Sequence, residues 1–464
     1  MHKIHIAIVG GGISGLTVAY ELSRRACREN VPLRISLFEA KDRLGGVIRT
    51  LRQGPFLTEA AADAFYAGGA KGRQVLELCG SLGMTEELTE AAPSFRRFFI
   101  FKNKKLFRCP ALPGSGDPSM LWKSPLLSVP AKARLLFEPW IPCSAEEEDE
   151  SLGHFFQRRC GRAFYREVAL PVIRGVFMAA PEDLSCRAVF PRLLELERLY
   201  GSLALAAVRD RPGPRDPGDE RFLNFKNGLG SLPQKMARET RDCEFRTGTP
   251  VSKWDRDGRG DCLILQNGER VEADATCIAM TAADTASLLR GRDGILAGEL
   301  ETISYDSVLT LNFIFKKEDL PEKLSGPGFF VPFGVGGCPF SSLKGFEPLS
   351  GGEDGYRRLR VFISGTMLPE VFSQEDGAVE EKVLGTIREW MAVRAAPVWG
   401  GTERYANALP RYGVGHLEKI VRIETRLRRY PRLFLTGNGF RGFGISDCIG
   451  AARATARALW EAVQ

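Results

Sequence analysis

The sequence predicts an α/β protein with a discontinuous parallel-sheet domain, joined to an α+β domain and a mainly helical insertion. Three observations carry this. The chain opens on a strand, a glycine turn and a helix (IHIAIVGGGISGLTVAYELSRR). A second strand then closes on an acid (RISLFEA), and the chain ends on another strand, glycine turn and helix (RLFLTGNGFRGFGISDCIGAARATARALWEAV). Taking the elements in order, Ile4 to Val9 reads as a buried strand, and Gly10, Gly12 and Gly15 follow at GxGxxG spacing. Gly10 permits the tight turn, Gly12 lets the backbone approach a pyrophosphate, and Gly15 lets helix and strand pack closely, the Rossmann-like pattern. Glu39 closes the second strand where ribose hydroxyls need an acceptor, and its charge disfavours a 2′-phosphate.

The next stretch, KDRLGGVIRT, moves the expected cofactor from nicotinamide to flavin. Its second glycine pair, Gly45 and Gly46, with Arg43 and Arg49, resembles the extended motif of the FAD-dependent amine oxidase, phytoene desaturase and protoporphyrinogen oxidase superfamily. The arginines are cations placed to face a diphosphate, though solvated arginines beside a loop remain the plain alternative.

From Arg96 to Arg108 the chain mixes Phe98, Phe99, Ile100, Phe101, Leu106 and Phe107 with Lys102, Lys104, Lys105 and Arg108. Arg97 to Phe101 and Lys105 to Arg108 read as two strands of a hairpin, which either packs as such or offers cations and rings to a flat anion or a membrane surface. Ser144 to Glu150 is an acidic connection, Ser151 a helix N-cap, and a helix starts near Leu152. Glu182 to Arg209 is helical in pattern, and the Pro- and Gly-dense Asp210 to Arg221 is an exposed loop. Strands return at Phe222, Val251, Cys262 to Leu265 and Val271, and CIAMTAADTASLL gives a buried strand ending at a helix cap near Thr281 or Ala282. The expected partition is 1–75, 222–290 and 415–464 for cofactor, 76–95 and 291–414 for substrate, 96–210 for a helical insertion, which the family resemblance given below implies to be membrane-facing, and 211–221 for the loop. In the closing unit, the helix after Gly442, Phe443, Gly444 and Ile445 directs N–H groups at an anionic locus, with Asp447 as a further contact.

Composition excludes several classes. With 464 residues, 44% hydrophobic and 26% charged, the chain supports two or three globular domains. Its net charge of +7 forms no stripe interleaved with stacking aromatics, so no nucleic-acid partner is expected. Eleven scattered cysteines and four histidines suggest no metal site and no nucleophilic hydrolase. No apolar run is long enough to span a bilayer, and the first strand feeds a glycine turn rather than a cleavage site, so the chain is expected in the cytoplasm.

Three further stretches carry a closer resemblance. LPVIRGVFMAAPEDLSCRAVFPRLLELE (Leu170 to Glu197), ALPRYGVGHLEKI (Ala408 to Ile420) and TGNGFRGFGISDCIGAA (Thr436 to Ala452) are similar to elements of the protoporphyrinogen/coproporphyrinogen oxidase family. A departure is Glu59, Ala61, Ala62, Asp63, Ala64 and Phe65, where that family has Gly-Pro after the Glu and Ser before the Phe. The resemblance implies non-covalent FAD and a tetrapyrrole that gives hydride from a methylene bridge to flavin N5. Molecular oxygen then regenerates the flavin with release of hydrogen peroxide, and no catalytic side chain is required. It implies cofactor contacts at Gly10, Gly12, Ile13, Ser14, Gly15, Glu39, Ala40, Arg43, Gly45, Gly46, Val251, Gly437, Gly442, Gly444 and Ile445. It implies substrate contacts at Arg97, which would pair with a propionate, and at Gly328 and Phe330 against the macrocycle faces. Peripheral attachment to the inner face of the cell membrane follows from the same resemblance, as does room for a homodimer. The rival readings are an amine oxidase or carotenoid desaturase, with Tyr405 and Tyr412 available for an aromatic cage, and a silent flavoprotein scaffold.

Overall fold

A computed structural model of the protein describes residues 3–90, 99–102, 105–109, 119–144, 148–209, 221–256, 260–324, 330–332, 342–348, 355–365 and 368–464. The chain divides into two compact units. One comprises Met1–Ala91, Pro217–Ser304 and Leu417–Gln464, the other Ala92–Asp216 and Tyr305–His416. Segments 76–91 and 291–304, expected with the substrate-binding domain, fall in the first unit. The helical insertion and the remaining substrate segment share the second.

The first unit is built on a parallel sheet of five strands: β1 Ile4–Val9, β2 Leu33–Phe38, β3 Cys243–Arg246, β4 Ala275–Ile278 and β5 Leu433–Leu435, in the order β3-β2-β1-β4-β5. β1 is central, and Ile6, Ala7 and Ile8 are fully buried, as a strand covered on both faces requires. The covering helices are α1 Ile13–Glu29, α2 Gly69–Ser81, α3 Ser231–Glu239 and α4 Ile445–Val463. Leu16, Val18 and Leu22 of α1, Val75 and Leu78 of α2, and Ile449, Ala456 and Trp460 of α4 join the strands in one core. That packing explains the boundary near 91, because α2 starts inside the expected cofactor segment and carries the chain beyond residue 75. Similarly, Asp293 caps the helix Gly294–Glu301 by accepting from Leu296 N at 3.0 Å and pairs with Arg426, tying this segment to the first unit.

Three antiparallel strands, Val251–Arg256, Asp261–Leu265 and Arg270–Ala273, form a second layer of this unit. Thr281 is the cap of the next helix, its hydroxyl accepting from Asp284 N.

The second unit contains an antiparallel sheet with strands in the order Phe330–Pro332, Ser342–Pro348, Tyr356–Ile363, Tyr305–Lys316 and Trp399–Pro410. Leu309, Leu311 and Phe313 oppose Ile363, Val361 and Leu359, and this face packs with Val379, Val383 and Ile387 of the helix Asp376–Met391. The expected hairpin is present as Phe99–Lys102 and Lys105–Arg108. Its rings serve packing: Phe99 and Phe101 lie against that core, and Phe101 stacks on Trp390 with centroids 5.0 Å apart. Ser151 caps Leu152–Cys160 as expected.

The pattern over Glu182 to Arg209 is not one helix. It breaks into Cys186–Val189, Pro191–Tyr200 and Leu203–Arg209, because Pro191 must begin a helix and Gly201 ends one in the left-handed conformation at φ +68°. The expected loop lies outside the described residues apart from Arg221. No helix among the described residues is long and apolar enough to cross a membrane.

Candidate functional site

At the carboxyl end of β1 the three glycines have separate physical reasons. Gly10 has φ +108°, and a Cβ there would stand 2.4 Å from Ala279 O. A Cβ on Gly15 would stand 1.9 Å from Gly10 O, so this position is closed by helix–strand packing. Gly12 differs: its φ of −73° suits any residue, and the nearest atom to an added Cβ is Gly46 Cα at 3.9 Å. The bare backbone at Gly12 therefore faces open space, which is where a pyrophosphate would lie. Gly12 is also the N-cap of α1 and supplies no side-chain cap, so the first N–H groups of the helix, at Ile13, Ser14 and Gly15, keep their capacity for an anion.

The second glycine pair closes this cradle. Gly12 and Gly45 form an isolated parallel bridge, Gly45 N donates to Gly11 O at 2.8 Å, and both Gly45 and Gly46 have positive φ. Arg43, expected to face a diphosphate, donates from Nη2 to Gly46 O at 2.8 Å and so holds the turn in shape.

Glu39 stands directly after β2. Its Oε2 accepts from Gly11 N at 2.7 Å and its Oε1 from Lys41 N at 2.9 Å, leaving each oxygen further acceptor capacity for a ribose hydroxyl. Ala40 is exposed beside it. Val251 opens its strand two residues after Thr249, whose N–H donates to Glu39 O at 2.9 Å.

At the other end, Ala279 N donates to Val9 O and Thr436 N to Ile278 O, which aligns the carboxyl ends of β1, β4 and β5. Gly437 (φ +138°) lies against Met280 O, and Gly442 has φ +120°. Gly444 is the N-cap of α4, and Ile445 its first residue, packed against the core. Asp447, read from sequence as a cofactor contact, has two protein partners: Oδ2 accepts from Gly444 N at 3.2 Å, the half of a capping box that a glycine N-cap allows, and Oδ1 pairs with Lys71 at 2.5 Å. Burial pushes the nearby Cys448 thiol up to about 12, so it stays neutral at ordinary pH.

Two residues of this region escaped the sequence reading, and a third, Glu59, was named there without a role. Gly11 orients Glu39, Met280 floors the cradle between Gly10 and Gly437, and Glu59 anchors the departed family segment. Glu59 is 3% exposed and accepts from Thr50 Oγ1, Asn224 Nδ2 and Leu229 N at 2.9, 3.1 and 2.8 Å. The Gly10-Gly11-Gly12 run was the available signal for the first; nothing local signals a partner as distant as Asn224.

In the second unit, Arg97 and Gly328 lie outside the described residues. The backbone of Phe330 pairs with Lys344, and its strand packs against Phe99–Lys102, the strand that follows Arg97. Lys102, one of the hairpin cations open to a flat anion or a membrane surface in the sequence reading, is paired with Glu167 at 2.5 Å. Tyr412 stacks on His416 with centroids 3.9 Å apart.

The glycine cradle fits the pyrophosphate of a dinucleotide with an unphosphorylated ribose, and comparisons with known proteins narrow the cofactor. Residues 13–460 match the model of the family described as flavin containing amine oxidoreductase. The chain is 26% identical over 467 residues to a coproporphyrinogen III oxidase of Bacillus subtilis, covering 97% of each. It is 28% identical over 483 residues to a human protoporphyrinogen oxidase, again covering 97% of each. A crystal structure from Exiguobacterium, provisionally named a protoporphyrinogen oxidase, superposes with a TM-score of 0.83 at 25% identity and 99% coverage of both chains. Cyclohexylamine oxidase from Brevibacterium oxydans, at TM-score 0.70 and 16% identity, shares the fold.

Proposed function

The chain belongs to the flavin-containing amine oxidoreductase family, and on that premise we propose that it oxidises a porphyrinogen, protoporphyrinogen IX or coproporphyrinogen III, to the porphyrin in haem biosynthesis. The observation that carries this reading is the end-to-end match, 97% of the chain, to relatives named for those two substrates. Bound FAD supplies the two-electron acceptor. The chain's own contribution is to hold it: Gly12, Gly45 and Gly46 admit the pyrophosphate, the N-terminus of α1 opposes its charge, and Glu39 receives the ribose. On the substrate side, Arg97 pairs with a propionate, while Gly328 and Phe330 lie against the macrocycle. Molecular oxygen regenerates the flavin.

Attachment to a membrane surface is part of the same proposal. Val129, Leu136, Phe137 and Trp140 are 79%, 57%, 63% and 76% exposed along the helix Val129–Leu136 and the short turn Glu138–Trp140 that follows it, an apolar group that water disfavours. Lys123, also exposed, precedes it in the chain.

The test is aerobic turnover of flavin-loaded protein with both porphyrinogens in parallel, followed by porphyrin fluorescence against an enzyme-free control. Oxidation above autoxidation is expected with at least one. Flavin-loaded protein that accelerates neither removes the proposal.

A further inference from the structure

A cavity of about 720 Å³ lies within the first unit, away from the glycine cradle, between the C-terminal half of α1, the turn after α3, and α4. Six arginines line it: Arg24, Arg25 and Arg28 from α1, Arg241 from the turn, and Arg453 and Arg457 from α4. Ser23 Oγ donates to Arg241 O at 2.8 Å and pins the turn to α1. Two of the helices carry arginines four residues apart, Arg24 with Arg28 and Arg453 with Arg457. Such like-charged neighbours repel within each helix, and here they also face one another.

The acids nearby offset part of this charge, chiefly on Arg25, Arg28 and Arg453. Glu21 pairs with Arg453 at 2.9 Å, Glu29 with Arg25 and Arg28 at 2.9 and 3.3 Å, and Glu239 with Lys235 at 2.9 Å. Among the described residues no carboxylate forms an ion pair with Arg24, Arg241 or Arg457, and these three come from three different elements. Convergent guanidiniums with open donors suit a ligand that presents several anionic oxygens close together.

The lining also limits what that ligand is. Tyr20, the aromatic residue among those that line it, is 5% exposed, and the Arg25 guanidinium is turned over the buried Trp460 ring behind the wall at 5.6 Å, so the lining offers no free aromatic face to stack a base or a macrocycle. We infer that this cavity is a second anion site, distinct from the flavin cradle, which binds a small non-aromatic compound bearing a condensed phosphate. Arg24, Arg241 and Arg457 grip the phosphoryl oxygens, while the paired arginines raise the local positive potential. Cys27, exposed on the same wall, provides a built-in reporter.

The experiment uses flavin-loaded protein, so that the cradle is filled, with inorganic pyrophosphate as the probe at low ionic strength. Calorimetry should show saturable binding that weakens with added salt, and binding of orthophosphate weaker by at least about tenfold. Saturating pyrophosphate should slow alkylation of Cys27 in the unaltered protein, read by mass spectrometry. A combined Arg24→Ser, Arg241→Ser, Arg457→Ser variant should lose at least about tenfold in affinity, and Arg457→Ser alone should lose part of it. Absence of saturable heat with unchanged Cys27 alkylation overturns the inference. So does pyrophosphate binding that the serine variants leave intact, or an acidic peptide that binds with this arginine dependence where pyrophosphate does not.

Discussion

Replacing Gly12 with alanine should separate flavin binding from folding. The backbone at this position has φ −73° and ψ −178°, which alanine adopts without strain, and the added methyl would find no atom closer than 3.9 Å. Folding stability should therefore change by less than about 1 kcal/mol in either direction. The same methyl enters the space assigned to the pyrophosphate, where overpacking costs about 1–3 kcal/mol, so FAD affinity should fall by about fivefold to 150-fold. Gly15→Ala is the paired control, because its methyl would stand 1.9 Å from Gly10 O and should cost more than about 3 kcal/mol of stability. Urea unfolding of the flavin-free proteins, followed by tryptophan fluorescence, gives the stability change, and quenching of flavin fluorescence on titration gives the affinity. A Gly12→Ala protein that binds FAD within twofold of the unaltered chain would refute the placement of the pyrophosphate. One that unfolds as readily as Gly15→Ala would refute the open space.

Other perturbations follow from the same geometry. Glu39→Ala removes the acceptor for Gly11 N and Lys41 N and should lower FAD affinity at least about tenfold in the same titration. Glu59→Ala leaves three donors around a buried site without their acceptor and should cost about 2–4 kcal/mol in urea unfolding, although Glu59 touches no ligand in this account. Burial pushes the Asp261 carboxyl from 3.8 up to about 6, so the folded state holds its proton more tightly than the unfolded chain. Stability from this group is full below pH 3.8 and is lost as pH rises through 6; Asp261→Asn should add on the order of 3 kcal/mol near pH 8 and much less near pH 4. Phe137→Ser with Trp140→Ser should reduce cosedimentation with anionic lipid vesicles without altering turnover of soluble substrate.

The cofactor cradle was legible because each of its parts is local. A strand, a glycine turn and a helix N-terminus lie within about twenty residues of one another at both ends of the chain, and the φ values of Gly10, Gly437 and Gly442 confirm why no other residue stands there. The large antiparallel sheet was not placed from sequence. Its pairs, such as Leu309 with Ile363 and Tyr305 with Pro410, join distant segments. The strand Tyr305–Lys316 is moreover buried on both faces from Leu309 to Phe315, so it shows no alternation to read. Asp447 and Lys102 were offered as ligand contacts on the position of their charges. Each also pairs with a protein partner remote in sequence, Lys71 and Glu167, and composition alone carries no trace of such pairings. The Gly444-to-Asp447 spacing did hold a readable signal, that of an N-cap and its third helical residue.

The most direct measurement is anaerobic mixing of the flavin-loaded protein with a porphyrinogen, recording flavin absorbance and porphyrin fluorescence together. The account predicts that the oxidised flavin band bleaches on mixing, each flavin taking two electrons, and that fluorescent porphyrin, the six-electron product, rises once oxygen is readmitted to return the flavin to its oxidised form. Flavin that stays oxidised in the presence of excess protoporphyrinogen IX and coproporphyrinogen III, while a general reductant still bleaches it, would contradict the proposed reaction.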